Sequence, residues 1–263
     1  SNYHLLAEPV TFTIDENHRV INLTADNDSQ IDNNYIEVLG LTIEKRDAET
    51  GSLIPDRGAT FQILDAYGTA IRLVMEGETE PTDTFPLGED GRITFDENCG
   101  IIPGRYTLVE VNCPAGYEKA EDVPFEITAA DHEKMVTVTM EDTAIKGRLT
   151  VTKIDKDTGK NCGAGFTFEV ISVGDKTDPA GNKYEGFADG EVVATITTNE
   201  DGIASTDEIL YFGKYSVKEI ATGDGYAITD KTYEAEVTSD GKVPEGAVDA
   251  EVQVENVQTE LRI

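Results

Sequence analysis

The stretch Leu149-Thr150-Val151-Thr152-Lys153 decides the fold, because it alternates apolar and polar residues and then places a lysine where the next core residue is expected. Residues two apart on a strand share a face, so this lysine points into the same core as the leucine and the valine. The same break in the pattern closes two other segments, Tyr215-Ser216-Val217-Lys218-Glu219 and Val252-Gln253-Val254-Glu255-Asn256. Burial of a lone charge is very costly, so the convergence of three such groups indicates chemistry among them.

Alternation of this kind recurs along the chain and predicts a fold built of strands. Glycine-containing turn dipeptides separate these segments, and no stretch has a long helical period. The sequence therefore predicts an all-β architecture of sandwich domains. The predicted strands are Leu41–Lys45, Tyr106–Glu110, Val136–Asp142, Leu149–Lys153, Tyr215–Glu219 and Ala250–Asn256.

An internal repeat divides the chain. Lys45-Arg46-Asp47 matches Lys153-Ile154-Asp155, and each is followed by a Thr-Gly pair. The segment from Gly104 to Glu110 matches the segment from Gly213 to Glu219 in the same order. We therefore expect one domain at 41–146 and a second at 147–263, with residues 1–40 as the tail of a truncated preceding copy plus a linker. In that tail Asn27 matches the last residue of the pattern, and Leu261-Arg262-Ile263 resembles the opening of a further copy.

The second repeat carries the set Lys153, Glu219 and Asn256, and this set predicts an intramolecular amide crosslink. Burial lowers the pKa of a lysine and raises that of a carboxyl, so the amine can be neutral while the glutamate holds a proton. The neutral amine is a nucleophile, and its target is the Asn256 side-chain carbonyl. Glu219 polarises that carbonyl and moves protons while ammonia leaves.

The first repeat has Lys45, Glu110 and Asp142 at the matching positions, with an aspartate as acceptor. An aspartate forms the same amide by loss of water if it is protonated when attacked, and a second carboxyl nearby favours that state. A plain buried Lys–Asp ion pair gives the same sequence pattern, so both interpretations stay open for this site.

Composition excludes several classes of protein. The chain has 263 residues and a formal net charge of −31, with 52 acidic residues against 21 basic ones. That balance argues against binding to nucleic acid, which needs a basic surface, and against binding to an anionic membrane surface.

We expect no cofactor and no metal, because the three cysteines lack metal-ligand spacing, the three histidines are scattered, and Asp26–Asn34 lacks the full calcium-loop pattern. No apolar run is long enough to insert in a membrane.

The order Lys-x-Asp, Thr-Gly, Gly-x-Tyr-x-apolar-x-Glu, Gly-Tyr and a terminal Asn or Asp resembles the Cna B-type domains of Gram-positive adhesins and pilins. The resemblance covers both full repeats and, more weakly, the N-terminal tail. It implies tandem reverse immunoglobulin-like, prealbumin-like sandwiches of the SpaA type, each with a spontaneous isopeptide bond. The implied crosslinks are Lys45–Asp142 and Lys153–Asn256, with Glu110 and Glu219 as the catalytic glutamates; Asp142 departs from the commoner asparagine.

The resemblance implies a structural stalk or shaft module of a cell-wall anchored, extracellular surface protein rather than an enzyme. Its implied partners are other pilin subunits or a host extracellular matrix protein, with sortase acting on the full-length protein. An alternative is a ligand-binding module that recognises matrix protein or glycan through the long inserts Tyr67–Phe85 and Val173–Val193. Tyr184 and Phe187 are the aromatic residues expected to be exposed there.

Overall fold

The computed structural model describes residues 38–259, except 56 and 243–245, together with two short strands nearer the N-terminus. Asn27 and the segment 261–263 lie outside the described residues. The strands are β1 Thr13–Ile14, β2 Val20–Ile21, β3 Gly40–Asp47, β4 Thr60–Asp65, β5 Phe85–Pro86, β6 Arg92–Asp96, β7 Gly104–Asn112, β8 Val123–Ile127, β9 Met135–Asp142, β10 Leu149–Asp155, β11 Thr167–Val173, β12 Val192–Thr197, β13 Ile203–Ser205, β14 Gly213–Ala221, β15 Thr232–Ser239, β16 Ala247–Val248 and β17 Ala250–Asn256.

The strands β3 to β9 form two sheets, with the orders β6-β3-β9 and β5-β4-β7-β8. A single 3-10 turn, Ala129–Asp131, leads from β8 towards β9. The strands β10 to β17 form a second pair of sheets, with the orders β13-β10-β17 and β12-β11-β14-β15-β16. The prediction of an all-β chain with tandem sandwich domains is confirmed, and each strand predicted from alternation lies within an observed strand.

Each sandwich packs its own apolar core between its two sheets. In the first, the core includes Leu41, Ile43, Phe61 and Phe95, each at most 1 % exposed. In the second, Leu149, Val151, Phe168 and Val217 are fully buried. Alternate residues of each strand supply these side chains, as a sandwich requires. Among the described residues, no helix has the length and apolar character needed to cross a membrane.

The first and last strands of each sandwich lie side by side and run parallel. In the first domain β3 pairs with β9, and Asp47 lies opposite Asp142. In the second domain β10 pairs with β17, and Asp155 lies opposite Asn256. Lys45 and Lys153 lie two residues before these aspartates and share their face of the strand. Each lysine therefore points into the core close to the last residue of the neighbouring strand.

A register irregularity occurs at the same place in both domains. The pairing of β4 with β7 shifts between Thr60 and Phe61, where Phe61 lies opposite Glu110. The pairing of β11 with β14 shifts between Thr167 and Phe168, where Phe168 lies opposite Glu219. Because a bulge bends a strand and redirects its side chains, this irregularity contributes to the position of the glutamate in each core.

Candidate functional site: two buried triads

The structure brings together all three candidate residues of the first domain. The side chains of Lys45 and Glu110 are fully buried, and Asp142 is 1 % exposed. Lys45 Nζ lies 2.9 Å from Glu110 Oε1 and donates a hydrogen bond to Asp142 Oδ1. Such a set of charges inside an apolar core is stabilised only by mutual pairing, so removal of one member leaves the others uncompensated.

The acceptor aspartate has a perturbed acidity. Burial raises the pKa of the Asp142 carboxyl to about 6, and the nearby Lys45 ammonium only partly opposes this effect. Glu110 adds to the increase through charge repulsion. A carboxyl with this pKa is protonated in a much larger fraction of molecules at neutral pH than an ordinary aspartate.

The second domain assembles the matching triad with a different contact pattern. Lys153 is fully buried, Glu219 is 3 % exposed and Asn256 is 2 % exposed. Lys153 Nζ lies 3.8 Å from Glu219 Oε1 and donates to the Val254 carbonyl at 3.1 Å. Asn256 Nδ2 donates to both oxygens of Glu219 at 2.9 Å. Glu219 therefore joins the lysine to the acceptor.

Burial lowers the pKa of the Lys153 ammonium, and the charge of Glu219 opposes that effect only in part. This direction favours the neutral amine that a nucleophilic lysine requires. Asn256 Oδ1 is buried without a hydrogen-bond partner in the described part of the chain. A half-turn of the amide exchanges its oxygen and nitrogen, so that a protonated Glu219 can donate to the carbonyl oxygen.

Both glutamates are held by the backbone of the following loop. Glu110 Oε2 accepts a hydrogen bond from Ala120 N at 3.1 Å, and Glu219 Oε2 accepts one from Thr229 N at 2.8 Å. Each donor lies ten residues beyond its glutamate. One carboxylate oxygen is thus fixed while the other faces the lysine, which is the geometry that a proton-transferring group needs.

An aromatic ring lies beside each lysine, which the sequence patterns did not predict. Lys45 Nζ lies 5.5 Å from the centre of the Phe61 ring, and Lys153 Nζ lies 5.3 Å from that of Phe166. The rings exclude water from the amines while offering only a weak cation–π attraction. The alternating patterns of two strands indicate that an aromatic residue shares the core with each lysine, but they do not identify which one contacts it.

The aspartate that follows each lysine by two residues shapes a turn. Asp155 Oδ1 accepts hydrogen bonds from the backbone N–H groups of Asp157 and Thr158 at 3.0 and 2.8 Å, and Asp47 Oδ1 accepts equivalent bonds. A side-chain oxygen that caps the backbone in this way is an Asx turn. The turn after each lysine strand is therefore stabilised by the aspartate that ends the strand.

One cluster of ligand-type atoms lies in the described residues, and it belongs to the first triad. Glu110, Cys113 and Asp142 place one possible ligand atom each within 4.8 Å of one another. However, Lys45 Nζ contacts both carboxylates and takes the position that a cation would need. The donor set therefore fits a lysine-centred site rather than a metal site.

The expectation that Tyr184 and Phe187 are exposed on a ligand-binding insert is wrong. Tyr184 is 5 % exposed, and its ring stacks on Tyr211 with centroids 3.8 Å apart. Phe187 packs edge-on against the same Tyr211 ring and is partly buried. The insert folds back onto the first domain, where Tyr184 Oη donates to Asp47 Oδ2 at 2.9 Å. Sequence patterns do not reveal a partner so far away along the chain.

Comparison with known proteins is consistent with this fold. The family model of the SpaA prealbumin-like fold domain matches residues 40–144 and again 147–251. A search of curated protein sequences gives no match.

Among solved structures, the Bacillus anthracis TIE protein matches with a TM-score of 0.53 and 19 % identity over 85 % of this chain. The chain spans 34 % of that protein. The shaft pilin SpaA from Lactobacillus rhamnosus GG matches with a TM-score of 0.34 and 13 % identity, over 87 % of this chain and 100 % of the pilin. The minor pilin GBS52 of Streptococcus agalactiae matches with a TM-score of 0.32 and 17 % identity, over 85 % of this chain and 98 % of that pilin.

At 19 % identity the match to the TIE protein indicates a shared fold and nothing finer, and no argument rests on the two pilin matches, whose TM-scores are below 0.5. The family model is more specific, because its two matched segments together cover most of the chain and each contains one complete first strand. The protein therefore belongs to the SpaA family of prealbumin-like fold domains, which it carries twice in tandem.

Proposed function

We propose that the protein is a structural stalk module of a bacterial surface adhesin or pilin, and that each domain crosslinks itself through an amide bond between its first and last strands. The observation that supports this most strongly is the burial of a lysine, a glutamate and a carbonyl acceptor together in each of two cores. A single inward lysine can extend along a strand to reach solvent, but these lysines are fully buried.

In the second domain the reaction begins with transfer of a proton from the Lys153 ammonium to Glu219. The Nζ atom of the neutral amine then bonds to the side-chain carbonyl carbon of Asn256, while the protonated glutamate stabilises the developing oxyanion. The glutamate gives its proton to Nδ2, the bond from the carbon to Nδ2 breaks as ammonia leaves, and the glutamate takes up the second proton of Nζ, so that a neutral amide remains. Folding holds the groups in contact, and this proximity removes a large part of the barrier.

In the first domain Lys45 Nζ bonds to the side-chain carbonyl carbon of Asp142, the carbon–hydroxyl bond of the protonated acid breaks, and water leaves. Glu110 moves the protons. Each reaction happens once per molecule and needs no external substrate, so the domains act as self-modifying structural parts and have no turnover.

The amide would stabilise each domain by restricting its unfolded state. The closed loops are both about 100 residues long, and by analogy with disulfides such a loop contributes roughly 4–5 kcal/mol. An amide also resists reduction, unlike a disulfide. These properties suit a stalk exposed to proteases and tension at the cell wall. Attachment by sortase and contact with other pilin subunits or host matrix protein belong to this proposal.

The alternative function, recognition of a ligand through the inserts, has less support. The insert of the second domain is occupied by its contact with the first domain. The insert of the first domain keeps one strongly exposed aromatic side chain, Tyr67, at 94 % exposure. A single exposed ring is a weak basis for a binding surface.

Peptide mapping by mass spectrometry tests the proposal. A tryptic digest of the protein should contain a branched peptide that joins Lys153 to Asn256, and a second that joins Lys45 to Asp142. Glu219→Gln should abolish the first branched peptide and keep the second, because only one domain loses its proton carrier. Glu255→Gln, which changes an exposed glutamate on the same strand as the acceptor, is the matched control and should keep both. Linear peptides alone in the unaltered protein would refute the proposal.

A further inference from the structure

The buried site of the first domain extends into the second domain through Asp47. This aspartate is fully buried, lies two residues after Lys45 on the same strand, and pairs across the sheet with Asp142. Its Oδ2 atom accepts a hydrogen bond from Tyr117 Oη at 2.8 Å and another from Tyr184 Oη at 2.9 Å. Tyr117 belongs to the first domain, whereas Tyr184 comes from the insert of the second.

From Tyr117 the contacts continue to the acceptor. Cys113 Sγ donates to the Tyr117 carbonyl at 3.2 Å and lies 3.7 Å from Asp142 Oδ2. Burial raises the pKa of the Cys113 thiol, so it stays protonated and acts as a donor rather than a nucleophile. An unbroken series of contacts thus runs from Tyr184 through Asp47, Tyr117 and Cys113 to Asp142.

The insert is held on the first domain by more than this one hydroxyl. Asp178 Oδ2 accepts hydrogen bonds from Thr50 Oγ1 at 2.6 Å and from Ser52 Oγ. Tyr184 and Tyr211 join Ile54, Tyr117 and Ala144 in one apolar cluster, against which Cys113 packs. Residues of both domains therefore close the end of the first sandwich where the triad lies, and they exclude water from it.

The second domain completes the equivalent place with its own chain. Asp155 Oδ2 accepts from Tyr226 Oη at 3.0 Å, as Asp47 does from Tyr117. The position taken by Tyr184 in the first domain is filled here by Gln258 Nε2, at 2.7 Å. The residue that matches Gln258 in the first domain is Ala144, whose side chain has no polar group and leaves space for the tyrosine.

This difference between the domains corresponds to a difference in their acceptors. An asparagine acceptor is neutral at any ordinary pH, so the second domain needs no further exclusion of water to keep it reactive. An aspartate acceptor can release water only when its carboxyl is protonated, and burial favours the protonated form. The domain with the aspartate is the one whose site is closed by its neighbour.

We propose that docking of the second domain completes the crosslinking site of the first, with Tyr184 as a positioning residue that closes the site around Lys45, Glu110 and Asp142. This inference rests on the proposed function. It implies an order of events: the Lys153–Asn256 amide forms within the second domain alone, and the Lys45–Asp142 amide forms at full rate only after the insert has docked. The bond changes and leaving groups are those given above for each domain.

A time course of crosslinking in newly made protein tests the inference. The full chain is synthesised in a cell-free system, samples are stopped at intervals by unfolding in concentrated denaturant, and both branched peptides are quantified in each sample. Tyr184→Ala should slow formation of the Lys45–Asp142 peptide on the order of tenfold, the change that one unit of acceptor pKa produces. The Lys153–Asn256 peptide in the same molecules should form at its usual rate. Tyr226→Phe, which removes the matching hydroxyl inside the second domain, is the control and should leave the first domain unaffected.

The pH profile separates positioning from a general loss of structure. Lys45, Glu110 and Cys113 act on the pKa of Asp142, and Asp47 lies opposite it on the paired strand. The rate of Lys45–Asp142 amide formation is expected to fall as the pH rises. If the insert keeps water out, Tyr184→Ala should move this fall to lower pH. Tyr184→Phe, which keeps the stacked ring, should move it less. Equal first-domain rates and pH profiles in Tyr184→Ala and the unaltered chain would overturn the inference, as would equal slowing of both domains. Absence of both branched peptides from the unaltered chain would instead overturn the proposed function.

Discussion

The two lysines have equivalent positions in their domains, but the reactions that we propose for them would require different numbers of bound protons. In the second domain the reactive state, a neutral Lys153 beside a protonated Glu219, holds the same single proton as the ion pair. In the first domain the reactive state has a neutral Lys45 and two protonated carboxyls, which is one proton more than an ion pair with two carboxylates. The acceptor residue alone would therefore give the two proposed reactions different dependences on pH.

We expect the Lys45–Asp142 amide to form faster below about pH 6 than well above it, because the extra proton binds as the pH falls through the raised pKa of Asp142. Over the same range the Lys153–Asn256 amide should form at a nearly constant rate. The measurement is the rate of each branched peptide in freshly synthesised protein across a pH series. Asp142→Asn is the control: it should make the first-domain reaction release ammonia and lose its dependence on acid. A first-domain rate that rises with pH would contradict this account.

At the scale of the strand, alternation predicts both the elements and the burial of the polar residues that break it. The strands alternate between inward-facing and outward-facing residues, and Lys45 and Lys153 fall at inward-facing positions, as do their partners. This alternation can be read from a single sequence. The register irregularity beside each glutamate could not be predicted in this way, because it depends on the pairing of two strands that are separated along the chain. The contact between Tyr184 and Asp47 could not be predicted for the same reason, since the two residues are separated by 137 positions.

The turn that carries Gly202 also contributes to the position of Lys153. Lys153 N donates to the Gly202 carbonyl at 2.8 Å, and in the first domain Lys45 N donates to the Gly91 carbonyl at 3.0 Å. Gly202 has a φ of +75°, and a Cβ atom there would lie 2.0 Å from the Cys162 carbonyl oxygen. Both the backbone conformation and the close approach therefore require glycine.

We predict that Gly202→Ala lowers the free energy of unfolding of the second domain by about 3 kcal/mol or more, at the upper end of ordinary single substitutions. Gly159→Ala is the matched control, because Gly159 has a φ of +67° but no atom within 4 Å of an added Cβ. It should cost only about 1 kcal/mol for the left-handed backbone. Denaturant unfolding of both variants in the Glu219→Gln background, without the second-domain crosslink, gives the comparison. Equal costs would show that the contact with Cys162 is unimportant.

At the scale of the whole molecule, the crosslinks would lie on the direct path of tension. Each domain begins at its lysine strand and ends at its acceptor strand, and these strands are parallel neighbours. With the proposed amide in place, a force that enters one strand would leave into the next domain without loading the rest of the sandwich. The docked insert contacts the first domain beside the end of the strand that carries Lys45.

We predict that the unaltered protein, pulled by its ends, shows no unfolding event from either domain. The Glu219→Gln variant should show one event, and about 100 residues released there would lengthen the chain by roughly 350 Å. Single-molecule force spectroscopy measures this directly, with Glu255→Gln as the control that should behave like the unaltered chain. A full unfolding event from each domain of the unaltered protein would contradict the proposed load path.

The mass of the intact, denatured protein is the most direct test of the central claim. Formation of each proposed amide would release one small molecule, ammonia from the second domain and water from the first. The account predicts a mass below that of the unmodified sequence by one ammonia and one water together. A mass equal to that of the unmodified sequence would contradict the claim that the buried triads of this protein react.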